Sequence, residues 1–197
     1  MAARVVIAED EAIIRLDLQE TLQEEGYEVV GSTGRGDEAV AMVRDLQPDV
    51  AILDIKMPGL DGISAAKEIA GGRWAAVLIL TAFSQRDLVE QARDAGAIGY
   101  LVKPFQKSDL VPAIELAVGR FTELRALEQE VHSLEDQLTT RRIVERARGL
   151  LMDQHGLSES EAFVFIQQTA MRQRAKMRVV AEQVLDGSLV PPAPPES

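Results

Sequence analysis

The chain has 197 residues, with 21 Lys and Arg against 32 Asp and Glu, for a formal net charge of −11. Cysteine is absent and both histidines, His132 and His155, lie in the second half. That excludes disulfides, thiolate chemistry, cysteine-ligated zinc and any histidine-dependent triad in the first half. Hydrophobic residues make up 46 %, enough for a packed core, while the acidic balance argues against a protein that coats nucleic acid indiscriminately.

No apolar run approaches the ~18–20 residues that span a bilayer. The first residues turn acidic at Glu9, too early for a secretory signal, so the expectation is a cytoplasmic chain with no membrane partner. Charge is unevenly spread. Residues 1–120 hold 12 basic and 20 acidic side chains, residues 121–138 hold 1 and 5, and residues 139–186 hold 8 and 6. Only the last segment has a basic excess, which suggests different work for the two ends.

In chain order, residues 5–8, 28–32, 50–54, 77–81 and 100–102 are short apolar runs separated by helical patterns such as residues 11–25. Runs without alternation suit strands covered on both faces of a parallel sheet. The pattern predicts a (βα)5 domain over residues 1–120, a doubly wound α/β fold of three layers. Sites in such sheets form beyond the carboxyl ends of the strands. Glu9, Asp10 and Glu11 follow the first run, Asp54 ends the third, Thr81 ends the fourth and Lys103 follows the fifth. Carboxylates gathered at one edge repel unless they share a cation, and Mg2+, a hard ion content with one or two carboxylates plus phosphate, fits that place. A lysine and a hydroxyl suit phosphoryl oxygens, and an aspartate beside a divalent ion can attack phosphorus to form an acyl phosphate.

The segment Asp54-Ile55-Lys56-Met57-Pro58-Gly59-Leu60-Asp61-Gly62, the pair Glu9-Asp10, the pair Thr81-Ala82 and Lys103-Pro104-Phe105 resemble the landmarks of two-component receiver domains, whose fold is flavodoxin-like. The resemblance implies that Asp54 accepts a phosphoryl group from a sensor histidine kinase. It implies Mg2+ held by Asp10, Asp54 and the Lys56 backbone carbonyl, with Glu9 acting through water. It further implies that Lys103 pairs with the phosphoryl group and that the Lys103–Pro104 bond is cis. Thr81 would swing toward the phosphoryl oxygens while Tyr100 rotates into the vacated space. Phosphatases of the haloacid-dehalogenase type share strand-end Asp, Thr and Lys, but they need a second aspartate where this chain has Lys56, so the general acid is missing and no enzyme is expected.

Ser108 is a candidate cap for a helix with Pro112 in its first turn, and nothing from residue 113 to 138 stops it. Leu124, Leu127, Val131, Leu134 and Leu138 follow a/d spacing for about two heptads. Two readings stay open for this linker, residues 121–138: a coiled coil pairing two protomers into a homodimer, or a lone helix folding its stripe onto its own domains. His132 reads as an ordinary surface residue. Thr139 or Thr140 can cap a further helix to about residue 154. Ser158-Glu159-Ser160-Glu161 is a capping box opening a helix to about residue 172, and a third runs from about residue 177 to 185. These make a small three-helix bundle over residues 139–186. Phe163 and Phe165 read as core by their spacing. Residues 187–197 hold four of the eight prolines and read as an extended tail.

Arg141, Arg142, Arg146 and Arg148 form one basic cluster, and Arg172, Arg174, Lys176 and Arg178 a second. Arginine favours planar phosphate and base contacts. Arg146-Ala147-Arg148-Gly149-Leu150-Leu151-Met152, residues 158–161, Ala162-Phe163, Ala170-Met171 and Val180-Ala181 resemble an ANTAR domain, an RNA-binding antitermination module. The resemblance implies that these eight basic residues bind hairpins in nascent messenger RNA and prevent a terminator from forming. The alternative is a receiver that controls a protein-interaction or DNA-binding bundle.

Overall fold

The computed structural model describes residues 2–82 and 86–191, so most of the expected proline-rich tail lies outside the described residues. Contacts divide the chain into two compact units, residues 1–126 and 127–197.

In the first unit five strands, β1 (Arg4–Ala8), β2 (Glu28–Thr33), β3 (Val50–Asp54), β4 (Ala76–Thr81) and β5 (Gly99–Val102), alternate with helices. The helices are α1 (Ala12–Glu24), α2 (Gly36–Leu46), α3 (Gly62–Gly72), α4 (Arg86–Asp94) and the start of α5 (Lys107–His155). The sheet is parallel, in the order β2-β1-β3-β4-β5. The apolar runs are buried on both faces. Val6, Ala8, Leu53 and Ile79 pack with Val43 and Ile69 from α2 and α3. Their neighbours Val5, Ile7, Ile52 and Leu78 pack with Leu18 of α1 and Leu110 and Ile114 of α5. The chain reverses its direction of winding between β1 and β3, which is where such folds open a crevice.

In the second unit the end of α5, α6 (Glu159–Gln173) and α7 (Met177–Leu185) close around Val144, Ala147, Leu151, Ala162, Ile166, Val180 and Val184. The Ser158 capping box is present, with Ser158 and Glu161 each bonded to the other's backbone.

Three local expectations are corrected. No cap forms at Thr139 or Thr140, because α5 is one helix of 49 residues. Residues 121–148 contain neither Gly nor Pro, and a mid-helix threonine costs at most about 0.7 kcal/mol. Ser108 lies inside α5, since the Gln106 carbonyl accepts from the Asp109 and Leu110 N–H groups. Pro112 therefore falls in the second turn. Phe163 is 38 % exposed and stands outside the bundle core, against which Phe165 packs.

Candidate functional site

The strand ends bring Glu9, Asp10, Asp54, Lys56, Thr81 and Lys103 to one edge of the sheet. The Lys103 ammonium spans two acids, with Nζ 2.5 Å from Glu9 Oε2 and 2.7 Å from Asp54 Oδ1. The other Asp54 oxygen accepts the Lys56 N–H at 3.0 Å, and Glu9 Oε1 accepts the Glu11 N–H at 3.2 Å. Carboxylate oxygens of Glu9, Asp10 and Asp54 lie within 4.8 Å of one another. Glu9 and Asp54 are buried, and Asp10 is exposed. The Lys103 N–H donates to the Thr81 carbonyl at 2.7 Å, tying β5 to β4 where the site begins. The Lys103–Pro104 bond is cis.

A cavity of about 300 Å³ opens here, lined by Asp10, Asp54, Lys56, Thr81, Leu88 and Lys103 among others. Thr81 is buried. Tyr100 does not line the cavity and is 48 % exposed. Burial pushes the Glu9 carboxyl above its ordinary value, against the lowering effect of its hydrogen bond from Lys103; the Asp54 charge adds to the rise. Burial pulls the Lys103 ammonium down, but hydrogen bonds to Asp54 and Glu9 outweigh it, so Lys103 holds its proton above the ordinary lysine range. Three carboxylates against one ammonium leave two negative charges, the complement of one divalent cation, and the all-oxygen donor set is that of a hard ion.

The loop after β3 is shaped by two residues. Asp61 caps α3, its Oδ1 accepting the Ile63 and Ser64 N–H groups at 3.0 and 2.9 Å. Gly62 lets the loop return onto the strand, for a Cβ there would stand 1.9 Å from the Asp54 carbonyl oxygen. Arg15 on α1 was not legible as part of this site: its guanidinium donates to the Glu9 carbonyl and to that of Asp10 at 3.4 Å. Its only sequence signal is a position about one turn into the helix after the acid pair.

In the second unit, three of the eight expected nucleic-acid contacts form local ion pairs and a fourth a local hydrogen bond. Arg141 pairs with Glu145 at 3.0 Å, Arg178 with Glu182 at 2.9 Å, and Arg148 with Glu159. Arg172 donates to the Thr169 hydroxyl at 3.3 Å. Arg142, Arg146, Arg174 and Lys176 are exposed and form no ion pair among the described residues.

Two family descriptions match the chain. The response regulator receiver domain covers residues 5–115, and the ANTAR domain covers residues 132–185. The chain belongs to the response regulators that join a receiver domain to an ANTAR domain. It is 61 % identical over 183 residues to the transcriptional regulatory protein PdtaR of Mycobacterium tuberculosis, spanning 93 % of this chain and 89 % of that one. The receiver unit resembles the receiver domain of the response regulator NarL from M. tuberculosis, at 31 % identity and a TM-score of 0.58 over 60 % of this chain and 97 % of that one. It also resembles the receiver domain of the sensor histidine kinase PA1611 from Pseudomonas aeruginosa PAO1, at 28 % identity and a TM-score of 0.56 over 60 % and 99 %. That structure holds a magnesium ion in its active-site cleft. This response regulator is a regulator of transcription by family and not an enzyme. Among its described residues no helix is long and apolar enough to cross a membrane.

Proposed function

We propose that Asp54 accepts a phosphoryl group from a sensor histidine kinase and that the ANTAR unit, so controlled, binds hairpins in nascent messenger RNA and prevents termination. The observation that carries the first half is the Lys103 ammonium held between two buried acids, beside a third carboxylate. In the transfer, a carboxylate oxygen of Asp54 forms a bond to phosphorus as the N–P bond of a phosphohistidine breaks, and the departing nitrogen keeps the electron pair. The Lys56 N–H orients the Asp54 carboxylate, and Lys103 exchanges its carboxylate contacts for a phosphoryl oxygen. Mg2+ would be held by Asp10, Asp54 and the Lys56 backbone carbonyl, with Glu9 behind them, and when bound supplies the positive charge that lets phosphate approach carboxylate. Thr81 closes on the phosphoryl oxygens and Tyr100 turns inward from its half-exposed position, shifting an existing equilibrium between two states.

The second half rests on Arg142, Arg146, Arg174 and Lys176, which have no competing ion pair among the described residues. The pairs at Arg141 and Arg178 are surface pairs worth little, which phosphate can displace. Leu124, Leu127, Val131, Leu134 and Leu138 stand between 50 and 58 % exposed, which supports pairing of two protomers along α5 and a gain in avidity for tandem hairpins. Working boundaries are a receiver over residues 1–120, a linker over 121–138, the RNA-binding bundle over 139–186 and a tail over 187–197, in a cytoplasmic protein.

The test of the first half is incubation with acetyl phosphate and Mg2+ followed by phosphate-affinity electrophoresis. One shifted species is expected for the native protein and none for Asp54→Asn. A shift that persists in the variant overturns the assignment.

A further inference from the structure

An open groove with about 860 Å³ of space lies within the second unit. It is walled by α5 and by residues of α6 and α7. We propose that it receives one unpaired nucleobase of the bound RNA, stacked on Phe163. This rests on the RNA reading above and adds a base-recognition site to it.

The lining has the two kinds of surface that a base requires. Phe163, with Val144 and Met177, supplies an apolar side. Phe163 is 38 % exposed while its neighbours Ala162 and Ile166 are fully buried, and it is among the residues that line the cavity. On the α5 wall Ser133, Gln137 and Thr140 supply uncharged donors and acceptors, and Asp136 and Glu145 supply carboxylates, groups that read base edges. Arg148 also lines the cavity. Its Nη2 is held by Glu159, and its Nε is buried with no hydrogen-bond partner. The exposed, unpaired Arg174 and Lys176 directly precede Met177 and supply cations for the flanking phosphates. Bases inside a duplex are not available for stacking. Bases splayed from a hairpin loop are.

The test uses the full chain with beryllofluoride and Mg2+, and a pool of hairpin RNAs with a fixed stem and a randomised loop. The hairpin enriched by the native protein is then remade with 2-aminopurine at each loop position in turn. One position is expected to lose fluorescence on binding to the native protein and to Phe163→Tyr, and to keep it with Phe163→Leu. Affinity for Phe163→Leu is expected to fall about tenfold, inside the range of base–aromatic stacking. Gln137→Ala is expected to relax base preference at that same position. Unchanged affinity and unchanged quenching in Phe163→Leu overturn the inference while leaving the RNA reading intact. A changed sedimentation coefficient with unchanged RNA affinity overturns it too, by assigning the cavity to a second copy of the chain. Failure of the native protein to enrich any hairpin overturns the RNA reading itself.

Discussion

Replacing Lys103 by methionine removes the ammonium that spans Glu9 and Asp54, so the net charge of the cluster goes from −2 to −3. The Lys103, Glu9 and Asp54 side chains are 12, 0 and 8 % exposed. Removing one partner of such a buried pair costs about 3–5 kcal/mol. The open cavity and exposed Asp10 admit water, so the expected loss lies near the lower bound, about 3 kcal/mol without divalent ions. The loss depends on pH. Folding raises the Glu9 pKa, so the Glu9 contribution to stability is full below the ordinary glutamate value and is lost as pH rises through the raised folded value. Lys103 opposes that rise. Without it Glu9 protonates more readily, and the variant is penalised less at low pH than at high pH. Urea unfolding followed by Trp74, the single tryptophan and part of the receiver core, measures this directly. Added Mg2+ is expected to stabilise the variant more than the native protein, because the ion meets one more uncompensated charge. A loss under about 1 kcal/mol, the value of a surface pair, or equal stabilisation of both proteins by Mg2+, would show that Lys103 does not neutralise the buried acids.

Three further outcomes are expected. Asp61→Ala removes the cap of α3 and should cost about 1 kcal/mol. Hydrogen bonds from Ser64 hold the Asp61 carboxyl below its ordinary value, so its contribution is present above that value and is lost as pH falls through the lowered one; acid titration of native and variant stability checks the sign. Gly62→Ala drives a Cβ against the Asp54 carbonyl and should cost about 3 kcal/mol, with a matching fall in phosphoryl incorporation at Asp54. Arg146→Ala should weaken hairpin binding about equally across loop sequences and lower the salt slope by about one, read from affinity at several salt concentrations.

The strands and the site edge were legible because burial on both faces leaves little choice of residue. Each apolar run became a strand, and the polar residue at its end fell where the chain leaves the sheet. The acid–lysine cluster follows from that arithmetic alone. What escaped depends on contacts made across the fold. Thr139 and Thr140 carry capping chemistry, but a cap forms only where the helix starts, and nothing in the neighbouring residues starts one. Phe163 has helical spacing identical to a core position, and its exposure reflects the placing of α5 and α7 around it. Arg15 braces the Glu9 carbonyl through a bond that no local pattern announces. The overall charge of −11 averages over an acidic receiver and a basic bundle.

On the proposed function, the state of Asp54 controls RNA binding by the ANTAR unit. The most direct test is the affinity of the full chain for a selected hairpin RNA, measured with and without beryllofluoride and Mg2+, for the native protein and for Asp54→Asn. Tighter binding is expected for the native protein when beryllofluoride is present, with no response in the variant. Equal affinity of the native protein in both states would contradict it.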